Sequence, residues 1–211
     1  MAVRAKKPDD LREACVREAL AIIETSGVES LSLREVARRL GVSHQAPYKH
    51  FPSRDHILAE IVARAFDAFA AELDGRPRSD DPYEDLAEMG RAYFKYARSH
   101  PLQYRLMFGT PLPDPAEHKA MMLKARHAFA LLRDCIVSLP PPTDALDTED
   151  AADLDALFVW SSVHGLASIL ASHAMETLDM PDRLLQAAAA QTLQRIGMAL
   201  DAERRGPAKQ G

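Results

Sequence analysis

Between Ser32 and Arg54 the chain reads S-L-R-E-V-A-R-R-L-G-V-S-H-Q-A-P-Y-K-H-F-P-S-R, and no other stretch restricts the fold so tightly. Ser32 has the side chain of a helix N-cap, and Glu35 three residues on completes a capping-box pattern. Leu33, Val36, Ala37 and Leu40 fall at i, i+3, i+4 and i+7, the apolar stripe of a helix. Gly41 stops that helix after barely two turns, and Ser43 caps another at once. A helix so short is marginal in water by itself. It has to be packed against neighbours, so the stretch predicts a three-helix head.

The flanking sequence supplies the neighbours. Asp9 or Asp10 is placed to cap a first helix of about 16 residues, whose Val16, Ala19, Leu20 and Ile23 form one stripe and which Gly27 ends. Arg4, Lys6 and Lys7 precede it as a basic, mobile arm. Ser53 caps a long helix from Arg54 to about Leu73, with Ile57, Leu58, Ile61, Val62, Ala65, Phe66 and Phe69 on a wide apolar face. Helical periodicity continues over Tyr83–Ser99, and His100-Pro101 interrupts it, because proline disfavours the α region in the residue before it. A short aromatic segment, L-Q-Y-R-L-M-F-G, and a proline-rich break lead to a helix over Ala116–Ser138. After P-P-P-T-D-A-L-D-T come the last two helices, the eighth and ninth, over about 149–176 and 182–204. No run alternates as a strand would. The fold class is therefore all-α: a three-helix helix-turn-helix head, residues 1–54, and a body of roughly six helices, residues 55–211.

Two short helices joined by a tight turn can present the second to the major groove, where base edges are read while the flanks hold phosphate. Ser43, His44, Gln45, Tyr48 and Lys49 offer the donors and acceptors, and Ala46 and Phe51 remain to pack the head. Gln45 can pair bidentately with adenine. Ser32 and Arg34 stand at the amide end of the preceding helix, which can hold a second phosphate. Pro47 sits in the first turn, where proline is best tolerated. Net charge is −5, which argues against nucleic acid until it is divided. Residues 1–60 hold 10 Lys and Arg against 9 Asp and Glu, the remainder 16 against 22. Only the head suits phosphate.

The run from Ser32 through Leu58, with its V-S-x-x-x-x-Y-x-H-F motif, resembles the N-terminal domain of the TetR family of bacterial transcriptional regulators. The likeness covers about residues 10–60, including the Gly27 stop. It implies that His44, Gln45 and Ala46 face bases and that Tyr48 and His50 support phosphate contacts. Pro47 departs from the leucine of many members, which bears on the helix entry and the operator preference. In the body, Trp160-Ser-Ser-Val-His164-Gly165 resembles the W-x-x-x-H-G pattern of one C-terminal domain class of the same family.

The eighth helix carries Ser161, Gly165, Ser168 and Ser172 at i, i+4, i+7 and i+11; the ninth carries Leu184, Leu185, Ala188, Ala189, Thr192, Ile196 and Ala199. Small residues let helices approach, so these two predict a four-helix homodimer interface, as the resemblance also implies. Aromatic and Met residues, Tyr93, Tyr96, Tyr104, Met107, Phe108, Met121, Met122, Phe129 and Trp160, can line an adaptable cavity for a small apolar or aromatic effector, with His164 beside them. They can equally be plain core. His100, His118, His127, His164 and His173 show no metal-ligand spacing, and His164 suits a satisfied core histidine. No catalytic residue, cofactor loop or metal motif is present in the sequence. Cys15 and Cys135, 120 positions apart among apolar neighbours, read as buried free thiols. With no signal-peptide h-region and no apolar run of membrane-spanning length, the expected compartment is the cytoplasm and no membrane is a partner. The sequence thus predicts a homodimeric repressor that binds a pseudo-palindromic double-stranded operator and leaves it when an effector binds. Its rivals are an activator or effector-less regulator of the same type, and a helical ligand-binding or scaffold protein without DNA affinity.

Overall fold

Caps and glycines do most of the local folding near the N-terminus. The computed structural model describes residues 8–109, 111–142, 148–172 and 179–205, and every regular element among them is helical. In order these are α1 (Pro8–Ser26), α2 (Leu33–Leu40), α3 (Arg54–Asp74), α4 (Pro82–Ser99), α5 (Pro101–Phe108), α6 (Lys119–Val137), α7 (Thr148–Leu170) and α8 (Asp182–Arg205). One-turn 3₁₀ helices occupy Val28–Ser30 and Pro47–Lys49. None of the described helices is long and apolar enough to cross a membrane. The basic arm of Arg4, Lys6 and Lys7 and the end of the expected eighth helix lie outside the described residues.

Two units pack separately, one from residues within Met1–Phe66 and Arg105–Lys124, the other from residues within Asp67–Tyr104 and Ala125–Gly211. Residue 54, where the sequence divides head from body, is the start of α3, and α3, α5 and α6 each run through a boundary between the two packed units.

In the first unit α1 packs on α2, with Cys15, Val16, Ala19, Ile22 and Ile23 meeting the layer that holds Leu33, Val36 and Ala37. Ser32 caps α2 as expected, its hydroxyl accepting from the Glu35 amide at 3.2 Å. The reciprocal half of the capping box is replaced. The Glu35 carboxylate accepts from Arg38 at 2.6 and 2.7 Å and from Arg39 at 3.0 Å, and these guanidinium bonds lower its pKa to about 2. Gly41 ends α2 at φ 66°, ψ 29°, with the Gly41 and Val42 amides donating to Arg38 and Ala37 carbonyls. That is a Schellman close, and its left-handed position is why glycine stands there. Ion pairs tie α1 to α3: Arg64 to Glu13 at 2.7 Å, and Arg12 to Glu60 at 2.8 Å. The Arg105–Lys124 segment belongs to this unit, with Phe108 edge-on to Phe66 at 5.9 Å and the buried His118 edge-on to His56 at 4.8 Å.

The second unit is built on α4, α7 and α8, which pack on one another. Asp81 caps α4 by accepting from the Tyr83 amide at 2.9 Å, and Pro82 follows at the first helical position. A methyl group on Gly90 would lie 2.1 Å from Leu193 Cδ2, so a larger residue there would displace the Leu193 side chain where α8 packs on α4. Pro101 restarts the chain as α5, so the short aromatic segment is itself helical. Arg76 is buried and donates to Asp85 at 2.6 Å and to the Leu73 carbonyl at 2.9 Å. Burial pushes the Asp85 carboxyl up, but the Arg76 guanidinium holds it below its usual range. Cys135 lies 3.5 Å from the same carboxylate, and burial raises its thiol to about 11. Both cysteines are buried free thiols.

Candidate nucleic-acid interface

Pro47 decides the shape of the segment expected to read bases. Having no N–H, it cannot donate to the Ser43 carbonyl, the bond that would continue an α-helix from a cap at Ser43. The segment closes instead by tighter bonds: the Ala46 amide donates to Ser43 at 2.9 Å, Lys49 to Ala46 at 3.3 Å and His50 to Pro47 at 3.0 Å. Only the Phe51 amide reaches four residues back, to Pro47, at 2.9 Å. The expected third helix is thus a turn followed by one turn of 3₁₀ helix at Pro47–Lys49.

This tightening leaves a clear division of labour. Pro47 and Phe51 are buried, and Arg12 of α1 lies over the Phe51 ring at 5.2 Å, so the segment is pinned from below. Ser43, His44, Gln45, Tyr48 and Lys49 are exposed, Tyr48 at 46 %, while Ala46 and His50 are half-buried. The Gln45 amide nitrogen lies 3.2 Å from His44 Nε2, an exposed pair that water or a base edge can replace. His44 also borders a shallow groove of about 330 Å³ with Ser32, Arg34 and Arg38, at the amide end of α2. Of the nine expected DNA-facing residues, Ser32, Arg34 and His44 border this groove, and all nine belong to the first unit.

One positioning residue was not foreseen. Arg54 donates to the Val28 carbonyl at 2.8 Å and the Leu31 carbonyl at 3.2 Å, fastening the turn before α2 to the start of α3. A signal existed: a cation in the first turn of a helix opposes the helix dipole, so it needs another partner.

The residues expected to line an effector cavity divide between the units. Met107, Phe108 and Met122 belong to the first; Tyr96, Tyr104, Phe129, Trp160 and His164 belong to the second. Within the second, the Tyr104 and Tyr93 hydroxyls lie 2.8 and 3.1 Å from His164 Nδ1 and 3.0 Å from each other. Ser168 Oγ lies 3.4 Å from His164 Nε2. Burial lowers the His164 pKa and raises both tyrosines, which favours the neutral form of each ring. His164 is thus a hydrogen-bonded, half-buried histidine. Trp160 joins this group, its ring centroid 6.1 Å from His164 and 6.0 Å from Phe129. Tyr96 stacks on His100 at 4.6 Å, and burial pushes its hydroxyl up to about 12.

Large apolar side chains stay uncovered on both α7 and α8. Leu154 (56 % exposed), Leu157, Phe158 and Ile169 stand out from α7, and Leu184 and Met198 (64 %) from α8. Ser161 is exposed among them, and a methyl group on Gly165 would meet nothing within 4 Å. Ile196, expected at the dimer interface, is instead buried with Leu193 and Leu200.

Comparison with known proteins gives matches along most of the chain. A family profile described as "Bacterial regulatory proteins, tetR family" matches residues 16–61. A second, "Tetracyclin repressor-like, C-terminal domain", matches residues 86–193, more than half of the chain and inclusive of Trp160 and His164. Rv0681, an uncharacterised HTH-type transcriptional regulator of Mycobacterium tuberculosis, is 28 % identical over 174 residues, 80 % of this chain and 73 % of its own length. The class C tetracycline repressor protein of Escherichia coli is 33 % identical over 86 residues, 41 % of this chain; the match spans only 38 % of that repressor. The crystal structure of SCO4313, described as a regulatory protein, superposes with a TM-score of 0.75 at 26 % identity, covering 92 % of this chain and 98 % of its own.

Proposed function

The chain belongs to the TetR family of transcriptional regulators, and from that premise we propose that it is a homodimeric repressor released from its operator by a small-molecule effector. It is a DNA-binding regulator and not an enzyme. The observation that carries the DNA reading is the exposed row His44, Gln45, Tyr48 and Lys49 on a base of buried Pro47 and Phe51, beside the α2 amide end. Gln45, His44 and Ala46 face bases in this reading; Tyr48, Lys49, His50, Ser43, Ser32 and Arg34 hold phosphate and fix register. Residues 1–54 act as the DNA-binding domain and 55–211 as the effector-binding and dimerisation domain.

Dimerisation is supported by the uncovered apolar side chains of α7 and α8, where small residues interrupt large ones. Two such helix pairs make a four-helix interface. A pseudo-palindromic operator then requires the two reading segments to stand about 34 Å apart, one turn of duplex. Repression is the sign suggested by the name of the class C relative.

The effector in this reading is a small apolar or aromatic molecule seated among Tyr96, Tyr104, Phe129, Trp160 and His164, all of the second unit. It acts by binding one head spacing better than the other. A complete switch from 1:99 to 99:1 takes about 5.5 kcal/mol of differential affinity. The helices that run through both units, α3 above all, give that preference a covalent path to the head.

Selection of duplexes from a random pool tests the base-reading assignment. Wild type yields a two-fold motif, and Gln45→Ala relaxes one position in each half-site while the rest persists. An unchanged motif for Gln45→Ala contradicts the assignment.

A further inference from the structure

A cleft of about 680 Å³ opens between α4, the end of α7 and the first half of α8. Phe94, Pro101, Leu170, Leu185, Ala189 and Leu193 make it mainly apolar, and its size is that of a small-molecule site. It shares no residue with the aromatic group around His164. Leu193, packed against Gly90, belongs to both the cleft and the α4–α8 crossing, so part of the lining is fixed by the fold.

Three cations stand along one side of this cleft. Arg91, Lys95 and Arg98 follow at i, i+4 and i+7 on the exposed face of α4, which aligns them in one row. Two are already neutralised. Arg91 donates to Glu84 and, at 2.9 Å, to Glu88; Lys95 pairs with Glu72 at 2.7 Å. Arg98 has no carboxylate partner among the described residues. A planar guanidinium with open donors suits a carboxylate, which it can hold by two parallel bonds. One open fork beside an apolar trough calls for a single negative charge on an apolar body.

We propose that this cleft binds a small amphipathic carboxylate, its acid on Arg98 and its hydrocarbon body against Leu170, Leu185, Ala189 and Leu193. The site is separate from the aromatic effector cavity proposed above, and its occupancy is measurable without DNA.

Isothermal titration of the full chain with decanoate, and with decanol as the uncharged counterpart, tests this. Decanoate is expected to bind once per protomer and decanol about tenfold more weakly, the loss of one charge-assisted contact. Arg98→Ala brings decanoate down to the decanol level and leaves decanol unchanged. Ala190→Phe, at an exposed lining position outside the expected dimer residues, fills the trough and abolishes binding of both, with helicity by circular dichroism retained; if that variant does not fold, the Arg98→Ala comparison decides alone. The proposal is overturned if wild type does not bind decanoate, if decanol binds equally well, or if Arg98→Ala changes nothing. Decanoate binding that survives in folded Ala190→Phe also overturns it. So does a change of sedimentation from dimer to monomer in that variant, because the cleft is then an interface between copies. Failure leaves the operator reading untouched, since no DNA takes part.

Discussion

Pro47 removes one amide donor, and the backbone around it closes in i+3 steps as a result. The sequence marks that residue, but its tolerance in a first helical turn points to an ordinary helix; only the bond pattern shows that a full turn of α-helix is lost. Arg54 makes the opposite case, an unremarkable cation in a motif that turns out to hold two main-chain carbonyls. Arg54→Ala is expected to destabilise the chain by about 1–3 kcal/mol, the range for bonds to a charged donor, read as a lower urea midpoint. It should also weaken operator binding although Arg54 is not among the proposed DNA contacts. His164 carries a pH signature. Burial lowers its folded pKa below the ordinary 6.5, so the folded state resists protonation. The stability it contributes is complete above 6.5 and is lost as pH falls through the folded value. Between about pH 8 and pH 5.5 the urea midpoint of wild type should fall further than that of His164→Gln. Equal losses would mean that burial of the His164 ring does not disfavour the imidazolium.

Among the elements, local signals performed well wherever the information is local. Ser32, Gly27 and Gly41 mark real boundaries, and the apolar positions read on α3, from Ile57 to Phe69, are all buried. What periodicity does not carry is the partner of a face. Ile196 and Leu184 both read as apolar positions of the last helix, yet one is buried and the other exposed. The placement of Arg105–Lys124 in the first unit, with His118 against His56, is likewise a long-range pairing without a local signature. Arg76 and Asp85, nine residues apart, also pair without a local signature and join the loop after α3 to α4. Removing one partner of a buried pair strands the other, so Arg76→Met alone should cost about 3 kcal/mol in urea unfolding. Arg76→Met with Asp85→Leu should recover most of that loss. A double variant as unstable as the single would locate the cost in lost packing instead.

For the whole molecule, the all-α architecture and the family both follow from one short stretch whose caps allow few alternatives, extended by a body that matches over residues 86–193. The charge division between residues 1–60 and the acidic remainder fits a protein that approaches DNA with its head alone. Two heads on one duplex are what the uncovered apolar side chains of α7 and α8 are proposed to secure. In the proposed mechanism, release depends on an effector that discriminates between head spacings, and not on how tightly it binds.

Operator affinity as a function of salt, measured on a selected duplex together with the number of chains bound, tests this account most directly. Two chains per duplex are expected, with log K falling steeply and linearly against log salt, and Lys49→Ala should flatten the slope by about one per chain. Salt-independent affinity, an unchanged slope in Lys49→Ala, or no affinity for any duplex would contradict it.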